Sequence, residues 1–134
     1  MLVEDIREKF TIKTTPKIIG DPTYKAINDL REALYANAAT IPTMLGGARN
    51  GHIGLLMDTS VYANIATTDY TIPTETGTYA QHGTGDTAAA WADANAIHKE
   101  ERRIYNLDKN VDAALKQEII AAVDETYLSA KNQW

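Results

Sequence analysis

Three imidazoles, His52, His82 and His98, are the side chains of this sequence best suited to proton transfer or metal binding near neutral pH. Their spacing matches neither an HExxH helix nor a zinc finger, and the absence of cysteine excludes thiolate nucleophiles and thiolate zinc sites. His98 and Glu101 can share a helix face, while Asp58 or Asp69 would have to join from a distance. A small metal-dependent enzyme using His52 and His82 therefore stands only as an alternative reading. Serine catalysis has little to draw on, since Ser60 and Ser129 are the only serines and neither lies in a G-x-S-x-G context. The carboxylate pairs Glu100–Glu101 and Asp124–Glu125 are adjacent in sequence, and adjacent helical residues point in different directions. The expectation is a protein with no catalytic residue, no metal site and no cofactor.

Two other features carry chemistry of a non-catalytic kind. The run GGARNGHIG places Gly46, Gly47, Gly51 and Gly54 within nine residues. Backbone N–H groups free of bulky side chains can cradle an anion, and Arg49 would add charge. The run nevertheless lacks the lysine and hydroxyl of a phosphate loop, and no convincing strand precedes it as a dinucleotide turn requires. Its plain reading is a structural turn, and the function left to it is contact with a partner through Gly46, Gly47, Arg49, Asn50, Gly51 and His52. The second feature is KEERR at 99–103, where Arg102 and Arg103 could meet an acidic partner although Glu100 and Glu101 partly cancel their field; a surface charge network is the default reading.

The elements that must position these groups read mainly as helices. The opening dozen residues alternate charges with single apolar groups and could form a short helix, a fraying arm or a strand; Thr11, Ile12, Thr14, Thr15 and Pro16 favour extended backbone, so residues 1–20 are read as an extended N-terminal arm able to pack on another copy. Asp21 before Pro22 predicts a helix start, with Tyr24, Ile27, Leu30, Leu34 and Ala38 along its apolar face and an end before Pro42. Ile53–Met57 is a short buried segment of either kind, followed by a brief helix capped by Asp58, Thr59 or Ser60. Residues 67–85, rich in Thr and Gly, read as a long connection. Asp86 or Thr87 caps a helix whose stripe includes Trp91, Ala94, Ile97 and Ile104; LDK at 107–109 interrupts it. Asp108 or Asn110 then starts another helix with the face Val111, Leu115, Ile119 and Val123. TYLSAKNQW, from Thr126 to Trp134, has helical character. The helical domain is thus placed at 21–134, its last stretch ending without glycine or proline as though it continued into something longer.

Composition narrows the partners. Thirteen basic against eighteen acidic residues give a net charge of −5, and no segment is a basic tail, so a phosphate-tracking surface is not expected. No stretch approaches the roughly 18–20 apolar residues of a membrane span, and the first residues lack a secretory h-region. The expected location is cytoplasmic or particle-associated.

Residues 18–66 resemble the amino-terminal part of Gag-like proteins of Copia-type LTR retrotransposons and related retroelements. The matching residues are Pro22–Tyr24, Asn37–Ala38 leading to Ile41–Pro42, Leu45–Gly46–Gly47, then Gly51–His52–Ile53–Gly54–Leu55 and Tyr62. LKQEIIAAVDETYLSA, from Leu115 to Ala130, resembles the entry to the second helical half of such a capsid region. The resemblance implies a mainly helical capsid amino-terminal lobe whose output is intersubunit contact in a particle, with self-association aided by a second lobe outside this chain. The zinc-knuckle pattern and basic tail of a complete Gag are absent, so weak or no direct nucleic-acid binding is expected, and no membrane. The alternative from another class is a non-enzymatic adaptor that binds a protein without forming a lattice.

Overall fold

A computed structural model of the chain describes residues 2–46, 50–66, 68–75, 77, 80, 83 and 85–123. Among these it contains four α-helices, α1 (Val3–Lys9), α2 (Tyr24–Thr40), α3 (Thr59–Tyr62) and α4 (Ala88–Ala122), with one 3-10 turn at Ile53–Leu55. The only β-type pairing among the described residues is a parallel bridge between Ile18 and Val123. The mainly helical class expected from the sequence is therefore observed. No helix among the described residues is long and apolar enough to cross a membrane.

The start of the chain departs from the expected extended arm. Val3–Lys9 is helical, with Glu4 and Asp5 in its first turn and Arg7 and Lys9 in its last, signs that complement the helix dipole. A seven-residue helix is marginal alone, and burial of Ile6 and Phe10 against the rest of the core stabilises this one. Arg7 Nε also donates to the buried Glu118 carboxylate of α4 at 2.9 Å. The following segment, still without helix, is clamped to α2 by Asn37. Its side-chain oxygen accepts from Ile12 N–H at 2.8 Å, and its amide donates to Ile12 C=O at 3.1 Å, so the fully buried Asn37 stands in for a pairing strand. Residues 1–20 are thus tied to their own chain at Ile6, Arg7, Phe10, Ile12 and Ile18.

The helix expected at Pro22 starts two residues later. Thr23 is its N-cap, its hydroxyl accepting from Ala26 N–H at 3.1 Å, and Thr40 is its last residue before Ile41 turns extended ahead of Pro42. Leu30, Leu34 and Ala38 of the predicted face are buried, whereas Tyr24 and Ile27 lie beyond the core and are exposed.

The expected break at 107–109 does not occur. α4 is one helix of 35 residues, about 50 Å long at 1.5 Å per residue. Asp108 is not a cap but a buried mid-helix residue. Its neighbours Leu107 and Lys109 are good helix formers, so nothing in the backbone forces a stop there. The N-cap of α4 is Thr87, one of the two candidates, accepting from Ala90 N–H at 3.1 Å. Core contacts belong to the C-terminal part of this helix, through Leu107, Val111, Ala114, Leu115, Ile119 and Ala122, packed on α1 and α2. The segment TYLSAKNQW lies outside the described residues.

Candidate functional site: a groove where the long helix leaves the core

The glycine-rich run does its visible work inside the molecule. Gly51 adopts φ +52°, and a Cβ there would lie 2.6–2.8 Å from the carbonyl oxygens of Ala38, Ala39 and Ile41. The left-handed turn and the close approach to the end of α2 both require glycine. Gly46 and Gly54 form the seat of two aromatic rings, Tyr62 and Tyr70, which pack edge to face with centroids 5.9 Å apart. Tyr62 donates its hydroxyl proton to the Gly46 carbonyl.

That turn delivers His52 into the interior. The ring is fully buried, His52 N–H donates to Ala38 C=O at 2.9 Å, and Nδ1 lies 2.7 Å from Ile41 C=O. A carbonyl accepts only, so Nδ1 carries the proton and Nε2 is left with its lone pair and no partner among the described residues. Burial pushes the His52 pKa down, opposed by the Ile41 hydrogen bond and by the charge of Asp108. Asp108 accepts the Tyr70 hydroxyl proton and is itself pushed up by burial, against the Tyr70 hydrogen bond and the His52 charge. Tyr70 is raised far above the usual phenol range, chiefly by burial. The connection at Tyr70–Thr71 is therefore fastened to α4 by Asp108, to Tyr62 by ring packing, and to Leu45 C=O by Thr71 N–H at 3.0 Å. The cluster is a lock with His52 fully buried inside it.

The lock holds residues 41–46 beside α4 and so shapes a groove of about 420 Å³. One wall is Ile41, Pro42 and Met44; the other is Ile104 and Leu107 of α4, with Glu100 and Arg103 at the rim. Arg103 Nη2 donates to Glu100 Oε1 at 2.7 Å and Nε to Oε2 at 3.0 Å, a two-point pair exposed to water. One turn further up, Ile97 is 59% exposed; across the groove Met44 is 75% exposed. Ile97, Ile104 and Val111 recur every seven residues, so the stripe that joins the core continues past it along α4 into an apolar face open to solvent.

Of the residues picked out by sequence, Arg102 and Arg103 are exposed on α4, and Arg103 belongs to the groove. Gly46, Gly51 and His52 are buried, and Asn50 is half-buried with its amide 3.5 Å from Ile65 C=O. Gly47, Arg49 and His82 lie outside the described residues. His52 is thus not a surface contact of the folded chain, because the Gly51 turn aims it inward. Sequence reasoning missed Pro42, Met44 and Ile104 as a groove, and missed the Tyr70–Asp108 lock. A signal existed for the lock: Asp108 precedes Val111 by three and Leu115 by seven, which puts an acid on the apolar stripe. Among the described residues no three His, Asp or Glu side chains converge as a metal site. Comparison of the chain with protein-family models, curated proteins and solved structures returned no match.

Proposed function

We propose that this chain is a structural, self-associating domain whose output is contact between copies, as in the capsid region of a Gag-like retroelement protein. The observation that carries the reading is the apolar stripe of α4 running beyond the core, with Ile97 and Met44 exposed on either side of the groove. Burying such side chains is worth roughly 25 cal/mol per Å² removed from water, and a helix that keeps them in solvent gains from association. The kind of assembly comes from the resemblance of residues 18–66 and 115–130, with its order of a helix, an Ile-Pro exit and a glycine-rich turn. An acidic chain whose Arg103 is already paired offers little to an RNA backbone, so packaging of nucleic acid is assigned to other parts of a Gag-like protein.

Electron microscopy of the concentrated chain, and of a longer chain continuing past Trp134, tests the proposal. Regular particles or sheets from the longer chain support it. Dispersed monomers of both, with capture of one stoichiometric heterologous protein through the groove, would replace it with the adaptor reading.

A further inference from the structure

A neutral His52 fits its site and a charged one does not. The ring is fully buried, and its Nδ1–H is committed to the Ile41 carbonyl at 2.7 Å. A proton arriving at Nε2 finds no acceptor among the described residues. The groups around the ring do little to offset this. The end of α2 and the residue after it present the carbonyls of Ala38 and Ile41, and α2 carries no charged residue after Glu32. α4 presents Asp108; beside it stand Tyr70, whose ring packs on Tyr62, and Asp112, which pairs with Lys116 at 2.8 Å. Asp108 favours an imidazolium by its charge, but it already accepts from Tyr70, and the cost of burying the cation is the larger effect.

We propose that His52 is an acid-sensitive latch: when Nε2 takes a proton, residues 41–46 and the Tyr70–Thr71 connection come away from α4 and the groove loses a wall, while α1, α2 and α4 stay packed.

The fold allows this segment to move by itself. No described residue from Pro42 to Glu75 belongs to the buried apolar cluster shared by α1, α2 and α4; Ile53, Leu55 and Leu56 pack against that cluster while half-buried. The regular structure in the segment is one 3-10 turn and a four-residue helix, fastened by the Tyr62, Tyr70 and Thr71 hydrogen bonds. Such a region lies at the low-stability end of a fold. Once it lifts, His52 meets water and takes its ordinary pKa of 6.5, so falling pH draws the equilibrium open until the lower native value is reached. Asp108 acts in the opposite sense. Burial raises its native pKa, so in stronger acid the closed form gains a proton of its own. Tyr70 is raised far above the phenol range and stays protonated throughout. The latch therefore works below 6.5 and above the acid range where Asp108 is neutral.

Hydrogen exchange of the whole chain, followed by NMR and expressed as protection relative to the intrinsic rate at each pH, tests the latch. From pH 7.5 to 5.5 the amides of His52 and Thr71, bonded to the Ala38 and Leu45 carbonyls, should lose protection by up to about tenfold, the limit for uptake of one proton. Those of Val111 and Leu115 in the core should keep theirs. His52→Asn retains a donor toward Ile41 and takes no proton, so it should remove the pH dependence. The wild-type ring signals of His52 give a check that needs no variant, since the loss must begin before they report full protonation. Protection at Thr71 that does not change with pH, that falls in step with Val111 and Leu115, that falls equally in folded His52→Asn, or that falls only after the ring is protonated would overturn the proposal.

Discussion

Replacing Tyr70 by Phe removes one hydroxyl and leaves the ring that packs edge to face on Tyr62, so the change isolates the bond to Asp108. Asp108 is only 5% exposed, and a buried carboxylate that loses a donor keeps its full desolvation cost. A hydrogen bond to a charged group is worth about 1.5–3 kcal/mol, and for a chain of this size 1 kcal/mol moves the melting temperature by roughly 3–5 °C. The expected loss is therefore about 5–15 °C near neutral pH. Acidity adds a second check. Burial holds the Asp108 pKa above its ordinary 3.8, so the native state binds its proton before the unfolded state does. That contribution is fully present below 3.8 and is lost as pH rises through the raised native value. Without Tyr70 the native value rises further, so the Phe variant's deficit is largest near neutral pH and shrinks in acid as the carboxyl becomes neutral. Thermal and urea unfolding of Tyr70→Phe, Asp108→Asn and the double variant would show it, with a coupling of at least about 1 kcal/mol. A deficit that is absent, or equal at both pH values, would refute the lock.

Leu34→Asp buries an unpaired carboxylate at a position 6% exposed and should cost several kcal/mol, enough to unfold a domain of this size, whereas Lys25→Ala on the exposed side of the same helix should leave the melt unchanged. His52, whose native pKa lies below 6.5, contributes stability above 6.5 that is lost as pH falls toward the lower native value; a His52→Asn variant should flatten that limb of the pH–stability curve, and an unaltered limb would assign it to another group. Binding to single-stranded RNA at near-physiological salt should be weak, and a fluorescence titration giving tight binding with a steep negative salt dependence would mean that folding gathers basic groups into one track.

The sequence carried the helical class and several boundaries because those depend on local chemistry. Thr87 caps α4, and α2 ends where Pro42 forbids the residue before it from staying helical. What it hid depends on contacts far apart in the chain. Val3, Ile6 and Phe10 stand at helical spacing, but seven residues are too few to hold a helix alone, and the stripe is secured only against a helix more than a hundred residues later. Asp108 looked like a cap because a charged residue in an apolar run usually sits at a boundary; its partner, Tyr70, lies 38 residues away in a connection with no periodicity. The groove was equally invisible, for its walls come from an irregular segment at 41–44 and from one turn of α4. KEERR was legible as a surface charge network, and the Glu100–Arg103 pair is part of one.

The central claim is that the exposed α4 stripe exists to meet another copy of this chain. Static light scattering of the purified protein over increasing concentration addresses it most directly. The account predicts a weight-average mass that climbs above the 14.7 kDa monomer, with Ile97→Glu holding it down. A mass that stays at 14.7 kDa up to the limit of solubility would contradict it.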